Sequence, residues 1–256
     1  MNKITLLGSF GAGNFGDDWI LENAAKKWKT SNVCSRGFLS SGYRKTSSFF
    51  KKTILPGGAV FQDKTSGLSF YWYFLMVLFS KNPEGYDMDL TELKNPFRKL
   101  LISFLIKFKF QKFELRPGTS WTGLLSGDDS VFSFVNAEKG DGSVWCPFPG
   151  QNFLPEGVDS VFISDRRNYF PNSENLDFFQ HQSGKIEESF FFLSKKESII
   201  SSRYHPLIFA WMNGKKGLGV GPYGGKIHSL CERAGFPWCE EIGKSCLPEK
   251  PRKKWV

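Results

Sequence analysis

Arg203 and His205 are the two side chains whose types and spacing offer the clearest chemistry in this sequence. They belong to the run Ser202-Arg203-Tyr204-His205. An arginine supplies a permanent positive charge and a planar set of N–H donors that suits carboxylates and phosphates. A histidine exchanges a proton near neutral pH. The pair therefore indicates a site that binds an anion and transfers a proton beside it.

The neighbouring sequence predicts where these side chains lie. Residues 198–201 have the pattern of a short apolar strand, and a helix is predicted to follow at once. Pro206 suits the first helical turn, because its missing N–H would have no intrahelical partner there. Gly214 suits the helix end, because glycine adopts the left-handed conformation at little cost. The run is thus predicted at a strand's carboxyl end, where open α/β sheets bind ligands.

A glycine pair follows another predicted strand, at residues 53–55. Backbone N–H groups of Gly57 and Gly58 can form an anion-binding concavity there. An ordinary tight turn fits the same residues equally well. Lys226 also follows a predicted strand, at residues 217–220, and a glycine-rich loop. A solvent-facing lysine and a ligand-binding lysine are both compatible with that position.

A second glycine-rich turn lies near the start of the chain. The segment from Gly11 to Gly16 matches the dinucleotide pattern G-x-G-x-x-G between a strand and a helix. Asp17 and Asp18 count against a dinucleotide, since they place carboxylates where the pyrophosphate would lie. Arg36 could bind the 2′-phosphate of NADP, so that dinucleotide stays open. The simpler alternative is a glycine-rich turn that lets another ligand approach the backbone closely.

Strand and helix patterns alternate along most of the chain and predict two α/β domains, at residues 1–137 and 138–256. The polar, glycine-rich stretch at 137–142 is the predicted linker. The predicted strands are 3–8, 32–35, 53–55, 130–135, 143–146, 160–163, 198–201 and 217–220. The predicted helices are 17–27, most of 68–113, one that begins near 206, and 226–234.

The composition narrows the range of partners. A net charge of +9 favours anionic partners such as phosphates, carboxylates or an acidic membrane surface. Nucleic acid is disfavoured, because the aromatic residues lie in apolar runs instead of alternating with basic ones. The five cysteines form no C-x-x-C pair, and no apolar run is long enough to span a membrane. We expect a cytoplasmic protein, with peripheral association to the inner face of the membrane left open.

An ordered set of motifs resembles the polysaccharide pyruvyl transferase family. The motifs are Gly13-Asn14-Phe15-Gly16-Asp17, Gly57-Gly58-Ala59-Val60-Phe61-Gln62-Asp63, Ser202-Arg203-Tyr204-His205 and Tyr223-Gly224-Gly225-Lys226, with a looser match around Arg116. Their order and spacing cover roughly residues 3–236. Two positions depart from the family pattern: Ala59 stands in place of a third glycine, and Pro117 in place of an acid.

This resemblance implies two Rossmann-like domains that face a cleft, as in the glycosyltransferase-B fold. It also implies transfer of pyruvate from phosphoenolpyruvate to a glycan acceptor, with formation of a cyclic ketal. His205 and Arg203 would be catalytic. The implied binding residues are Lys226, Arg116, Ser202, Gly57, Gly58, Asn14, Asp17 and Asp63. Neither a metal nor a cofactor is expected, since phosphoenolpyruvate is itself the donor substrate.

Two other functions stay open at this point. A sugar-nucleotide glycosyltransferase could use the same two-domain fold. A catalytically degenerate relative could bind glycans, or a membrane-associated complex, through its basic surface. The sequence does not distinguish the acceptor sugar or the oligomeric state.

Overall fold

The chain folds into two compact units. The computed structural model describes residues 4–11, 14–37, 39, 42–63, 66–90, 93–116, 140–148, 151, 153–158, 160–163, 174–177 and 186–242. Unit 1 comprises Met1–Ala12 and Asp17–Ser133, and unit 2 comprises Gly13–Gly16 and Phe134–Val256. The sequence placed the boundary after residue 137 and did not predict that residues 13–16 are part of unit 2.

Unit 1 is built on a parallel sheet. Its strands are β1 (Thr5–Leu7), β2 (Asn32–Cys34), β3 (Arg44–Lys45), β4 (Lys52–Leu55), β5 (Lys81–Met88) and β6 (Lys112–Leu115). Its helices are α1 (Phe15–Lys27), whose first two residues are counted with unit 2, α2 (Gly67–Leu78) and α3 (Pro96–Phe108). The strand order is β3-β2-β1-β4-β5-β6, and neighbouring strands run parallel.

Unit 2 repeats this plan. Its strands are β7 (Ser143–Cys146), β8 (Ser160–Ile163), β9 (Glu174–Asp177), β10 (Ser198–Ser201), β11 (Lys216–Val220) and β12 (Trp238–Cys239). Its helices are α4 (Ile186–Ser194), α5 (Tyr204–Met212) and α6 (Lys226–Ala234). The strand order is β12-β11-β10-β7-β8-β9, and neighbouring strands again run parallel.

Both sheets have the strand order of a Rossmann fold. Numbered within its own unit, each sheet reads 3-2-1-4-5-6. The order reverses between β1 and β4 in unit 1, and between β7 and β10 in unit 2. Ligands of open α/β sheets bind outside the carboxyl ends of the strands at this reversal. The topology therefore marks one position in each unit where a ligand is expected.

The structure confirms many of the elements that the sequence predicts. Strands β7, β8 and β10 and helix α6 have the predicted bounds, and α1 begins two residues earlier than predicted, at Phe15. Gly214 has φ +64, as expected of a residue that ends a helix in the left-handed conformation. The strand predicted at 130–135 lies outside the described residues.

The prediction of a mostly helical region at 68–113 is wrong in part. Strand β5 separates α2 from α3, and β6 begins before the region ends. The sequence of β5, KNPEGYDM, has no alternation of apolar and polar residues, and Pro83 cannot donate a ladder hydrogen bond. The register with β4 shifts between Lys52 and Ile54 near that proline. Pairing with β4 and β6 on its two sides stabilises a strand that local preference disfavours.

Helices α2 and α3 cover the same core. Phe70 and Tyr73 of α2 and Ile102 and Leu105 of α3 join one buried cluster. That cluster also contains residues from the ends of β1, β4, β5 and β6, such as Leu7, Leu55, Met88 and Leu115. Each helix thus buries one side against the sheet. None of the helices that the structure describes is long and apolar enough to cross a membrane.

Two polar contacts determine how α1 begins. The Asn14 side chain accepts a hydrogen bond from the Gly16 N–H at 3.0 Å, which caps the helix. The Asp18 carboxylate accepts one from the Gly11 N–H at 2.7 Å. That N–H belongs to the glycine run that matched the dinucleotide pattern. Because Asp18 occupies it, the structure supports the argument against a pyrophosphate at this turn.

Asp18 makes stability depend on pH. Burial raises the pKa of Asp18 from 3.8 to about 6, with the Gly11 hydrogen bond acting in the opposite direction and Glu22 adding to the rise. The folded protein therefore holds a proton that the unfolded chain has already lost between these two values. The contribution of Asp18 to the free energy of unfolding falls as pH rises through that window.

We expect Asp18→Asn to stabilise unit 1 at neutral pH, because the amide oxygen keeps the Gly11 hydrogen bond without a buried charge. The free energy of unfolding should rise by about 1–3 kcal/mol at neutral pH. The gain should shrink as the pH is lowered from about 6 to 3.8, and it should be lost below the ordinary pKa of an aspartate. Urea unfolding of both proteins across this pH range measures the difference, and a gain that does not change with pH would contradict the assignment.

Candidate anion-binding and proton-transfer site

Arg203 lies at the strand-order reversal of unit 2. Strand β10 ends at Ser201, and Arg203 has the extended backbone of a helix N-cap (φ −110, ψ 144) before α5 begins. Its N–H donates to the Ser201 Oγ at 2.8 Å. This side-chain-to-backbone bond turns the chain out of the strand. Arg203 is therefore positioned by the carboxyl end of β10, as the sequence predicts.

Two contacts orient the Arg203 guanidinium. Its Nε donates to the Pro147 carbonyl at 3.1 Å, and its central carbon lies 5.1 Å from the ring centroid of Phe148. Pro147 and Phe148 directly follow β7, which pairs with β10 in parallel register. The side chain thus bridges the two strand ends at which the order reverses. A fixed guanidinium plane lets this charge bind a carboxylate or phosphate through parallel N–H bonds.

Gln151 links the same two strand ends and was not found from the sequence. Its Oε1 accepts a hydrogen bond from the Ser202 hydroxyl at 2.6 Å and another from the Phe148 N–H at 2.7 Å. The Ser202 N–H donates to the Cys146 carbonyl at 3.2 Å. Ser202 therefore ties the β10 end to the segment after β7. A lone glutamine carries no motif, so only the fold could bring it here.

His205 is the second residue of α5 and lies within unit 2 against Gly16. A Cβ built on Gly16, which belongs to the same unit, would stand 1.8 Å from the His205 Nδ1. The imidazole also meets the Tyr204 ring edge to face, with centroids 5.7 Å apart. Only a residue without a side chain leaves room for the imidazole at this position. Gly16 therefore has a specific role toward the predicted proton-transfer residue.

Lys226 lies at the same edge of the sheet, one strand further along. It begins α6, after the loop that follows β11, and β11 pairs with β10 in parallel register. Parallel strands bring their carboxyl ends to one edge. Arg203 and Lys226 therefore both follow strands that end at this edge of the sheet.

An aromatic cluster accompanies Lys226. The ring of His228 lies 4.6 Å from that of Tyr223 and 4.5 Å from that of Trp238. Trp238 also donates its indole N–H to the Gly221 carbonyl at 2.9 Å. The Tyr223 ring is well exposed. No motif in the sequence includes His228, and its place among these rings follows from the fold.

Gly57 and Gly58 lie at the corresponding reversal in unit 1. Both have positive φ, +145 and +94, which explains glycine at each position. A Cβ on Gly58 would approach the Asp17 Oδ1 at 3.3 Å, and one on Gly57 would approach Asp87 at 3.4 Å. The turn therefore lies against two carboxylates. Asp17 belongs to this unit and joins the glycine pair that the sequence nominated with it.

Arg116 has different surroundings from Arg203. Its side chain is 2% exposed, and its guanidinium pairs with Asp87 at 3.3 Å and with Asp89 at 3.5 Å. Both aspartates are fully buried in unit 1. Asp87 belongs to β5 and Asp89 directly follows it, in a region that the sequence predicts to be mostly helical. Two buried carboxylates already balance this charge, which favours a structural role for Arg116 over the donor-binding role that the resemblance implies.

The two remaining nominated residues hold helix ends. Asn14 caps α1 as described above, and Asp63 accepts hydrogen bonds from the N–H groups of Lys94 and Asn95 at the start of α3. Arg98 also pairs with Asp63, at 3.2 Å. These bonds and the Arg98 charge lower the pKa of Asp63, although desolvation acts to raise it. The cap of α2 is Ser66, whose side chain accepts a hydrogen bond from the Ser69 N–H at 3.2 Å.

No group of three or more histidine, cysteine, aspartate or glutamate side chains among the described residues is arranged to hold a metal ion. The described site contains three side chains that can bind anions or transfer protons. These are a guanidinium held in one plane, an imidazole in the first turn of α5, and a lysine at the start of α6.

We expect Gly16→Ala to displace His205, because the new methyl group would overlap the imidazole. The overlap should lower the free energy of unfolding by about 1–3 kcal/mol and shift the His205 ring signals in NMR spectra. Gly221→Ala is the matched control, since a Cβ there meets only Ile227, at 3.6 Å. An alanine at position 16 that leaves both stability and the His205 signals unchanged would show that this contact is absent in solution.

The comparisons with known proteins show the fold and no more. No protein-family model matches the chain, and neither does any curated protein. The structure is similar to that of an uncharacterized protein from Klebsiella pneumoniae, with a TM-score of 0.52 and 12% sequence identity. The match covers 91% of this chain and 88% of that one. The chain is thus an α/β protein with two parallel sheets of Rossmann-like strand order.

Proposed function

We propose that this protein transfers a pyruvyl group from phosphoenolpyruvate to two hydroxyl groups of a sugar. The observation that supports the proposal best is Arg203 at the strand-order reversal of unit 2, oriented by Pro147 and Phe148. His205 follows on α5, and Lys226 stands at the neighbouring strand end. The order of motifs in the sequence agrees with this assignment. The acceptor is a glycan or a nucleotide- or lipid-linked precursor of one.

The residue types match the charge of the proposed donor. Phosphoenolpyruvate carries a carboxylate and a phosphate on one three-carbon frame, so its binding requires several cationic donors. Arg203 would bind one anionic group through a parallel pair of N–H bonds, and Lys226 would balance the other as a compact charge. Fixed charges of this kind also stabilise the phosphate as it leaves.

The proposed reaction needs one proton donor and two proton acceptors. A proton adds to C3 of the donor, and the first sugar hydroxyl bonds to C2. The C2–O bond to phosphate then breaks, and the second hydroxyl bonds to C2 to complete the ketal. Of the two protons that the hydroxyls lose, one balances the proton gained at C3 and one leaves with the phosphate. We assign proton transfer to His205, which can act as acid and as base.

The fold supports the same proposal at a coarser level. We propose that the two units are the two Rossmann-like domains of a glycosyltransferase-B-like protein. The identical strand order of their sheets supports this. In unit 1, Gly57, Gly58 and Asp17 lie at the strand-order reversal, where the proposal assigns them to the acceptor.

A sugar-nucleotide glycosyltransferase is the second candidate. The cluster of Tyr223, His228 and Trp238 supports it, because an exposed ring at a strand-end edge can stack on a nucleobase. A stacked base would bring the diphosphate of such a donor to the same cationic edge. The two candidates therefore share Arg203 and Lys226 and differ in the donor that these residues hold.

We expect Arg203→Lys to weaken phosphoenolpyruvate binding by about tenfold or more, because lysine loses the planar fork and the Nε bond to Pro147. Calorimetric titration measures the affinity. Arg233→Lys is the matched control, since Arg233 also stacks on an aromatic ring, that of Trp211. Wild-type protein that binds UDP- or GDP-sugars but not phosphoenolpyruvate would favour the glycosyltransferase instead.

His205→Gln should lower the rate of phosphate release from phosphoenolpyruvate by about 10²-fold or more, since glutamine cannot exchange a proton. The assay uses a panel of hexopyranosides with neighbouring free hydroxyl groups as acceptors. His228→Gln, on α6 at the same edge, should keep the wild-type rate within about threefold. Unchanged turnover in the folded His205→Gln protein would remove His205 from the mechanism.

A further inference from the structure

Helix α3 exposes an apolar stripe on the side that faces away from the core. Its members recur at helical spacing, and they are Phe97, Leu100, Phe104 and Phe108. Leu100 and Phe108 are the most exposed of the four, at 66% each. Ile102 and Leu105 bury the opposite side in the sheet-covering cluster. The packing of the core of unit 1 therefore does not explain why these four exposed side chains are apolar.

Helix α2 has a stripe of the same kind. With its C-cap it exposes Leu68, Tyr71, Leu75 and Phe79, at the same spacing as in α3. The two helices contact each other and pack on one core, so both stripes lie on the side of the helices that faces away from the sheet. We call these eight residues together the apolar face. An exposed apolar surface of this extent marks a contact with a partner or a membrane.

A loop extends the apolar face beyond the end of α2. Phe50 is 81% exposed and has φ +56, an unusual conformation for a large side chain. Its N–H donates to the Phe79 carbonyl at 2.8 Å, and the Phe49 ring packs edge to face on Phe79. The loop is thus attached to the α2 stripe by a hydrogen bond and a ring contact. It presents a further phenyl ring to the solvent.

The charged residues within the stretches of sequence that carry the apolar face are all basic, and two of them pair with acids just outside these stretches: Arg98 with Asp63 and Lys112 with Glu114. Neither α2 nor α3 contains an acidic residue, and the sequence has none between Asp63 and Glu84 or between Glu92 and Glu114. Over the same stretches it has basic residues, namely Lys64, Lys81, Lys94, Arg98, Lys99, Lys107, Lys109 and Lys112. Lys107 lies beside the stripe, with its Nζ 5.2 Å from the Phe108 ring centroid. Phenylalanine and leucine bordered by lysine are the pattern of helices that lie in a membrane interface.

We propose that the apolar face docks unit 1 on the surface of a phospholipid bilayer that contains anionic lipids. The phenyl and leucyl side chains enter the boundary between headgroups and acyl chains, while the lysines stay at the headgroup level. The excess of basic residues on these stretches indicates which partner binds there. A second copy of this chain would present the same sign of charge, whereas anionic headgroups complement it.

The test measures sedimentation of the full-length protein with phosphatidylcholine vesicles that contain or lack phosphatidylglycerol. We expect sedimentation with the anionic vesicles and a decline as salt is added. Changing Leu100 and Phe104 together to Gln should lower the partition coefficient by about tenfold or more. Phe191→Gln is the matched control, because this residue is 60% exposed on α4 of unit 2, and it should leave binding unchanged.

A second variant separates docking from folding. Glycine tolerates the positive φ at position 50, so Phe50→Gly should melt no lower than wild type and still lose vesicle binding by about threefold or more. Failure of the wild-type protein to sediment with anionic vesicles would overturn the proposal. Equal sedimentation of the wild type, the Leu100 and Phe104 double variant and the Phe50→Gly variant would also overturn it. A wild-type dimer that both variants convert to monomers, without vesicle binding, would identify a second copy of the chain as the occupant.

Discussion

Parallel pairing of the strands is the constraint on which the rest of this structure depends. Because every described strand runs in the same direction as its neighbours, each sheet gathers all its carboxyl ends at one edge. The strand order reverses once in each unit, and a crevice forms there outside the carboxyl ends of the two adjacent strands. Arg203 and Pro147 come from the two strands of that reversal in unit 2. Their hydrogen bond exists only because 56 residues of chain return to the same edge.

Arg116 and Arg203 both follow strands, but the groups around each guanidinium differ and give the two side chains different roles. Arg116 follows β6 and is buried between two aspartates, so its charge is balanced within the protein. Removing it would leave those carboxylates buried without a counter-charge, which is strongly destabilising. Arg203 follows β10, and a carbonyl and a ring orient its guanidinium. One residue type thus stabilises unit 1 and, in our proposal, binds substrate in unit 2.

The parallel sheet also accounts for the form of the apolar face. Both faces of such a sheet must be covered, so the segments between β4, β5 and β6 become helices. Packing on the sheet needs only one side of each helix, and Phe70 and Leu105 provide it. The opposite sides of α2 and α3 are free to vary without loss of the core. That these sides are apolar, on helices whose only charged residues are basic, is the physical basis of the docking proposal.

The sequence by itself determined the elements whose signals are local. Residues 143–146 and 198–201 are short apolar runs. Pro206 lies in the first turn of α5 and Gly214 just after its C-cap, as their backbone preferences require. These signals also placed Arg203, His205 and Lys226 at strand ends. Only the tertiary structure decided which partners they meet. Strand β5 exists because its neighbours supply hydrogen bonds, and Gln151 and Gly16 reach Ser202 and His205 through long-range packing that leaves no pattern in the sequence.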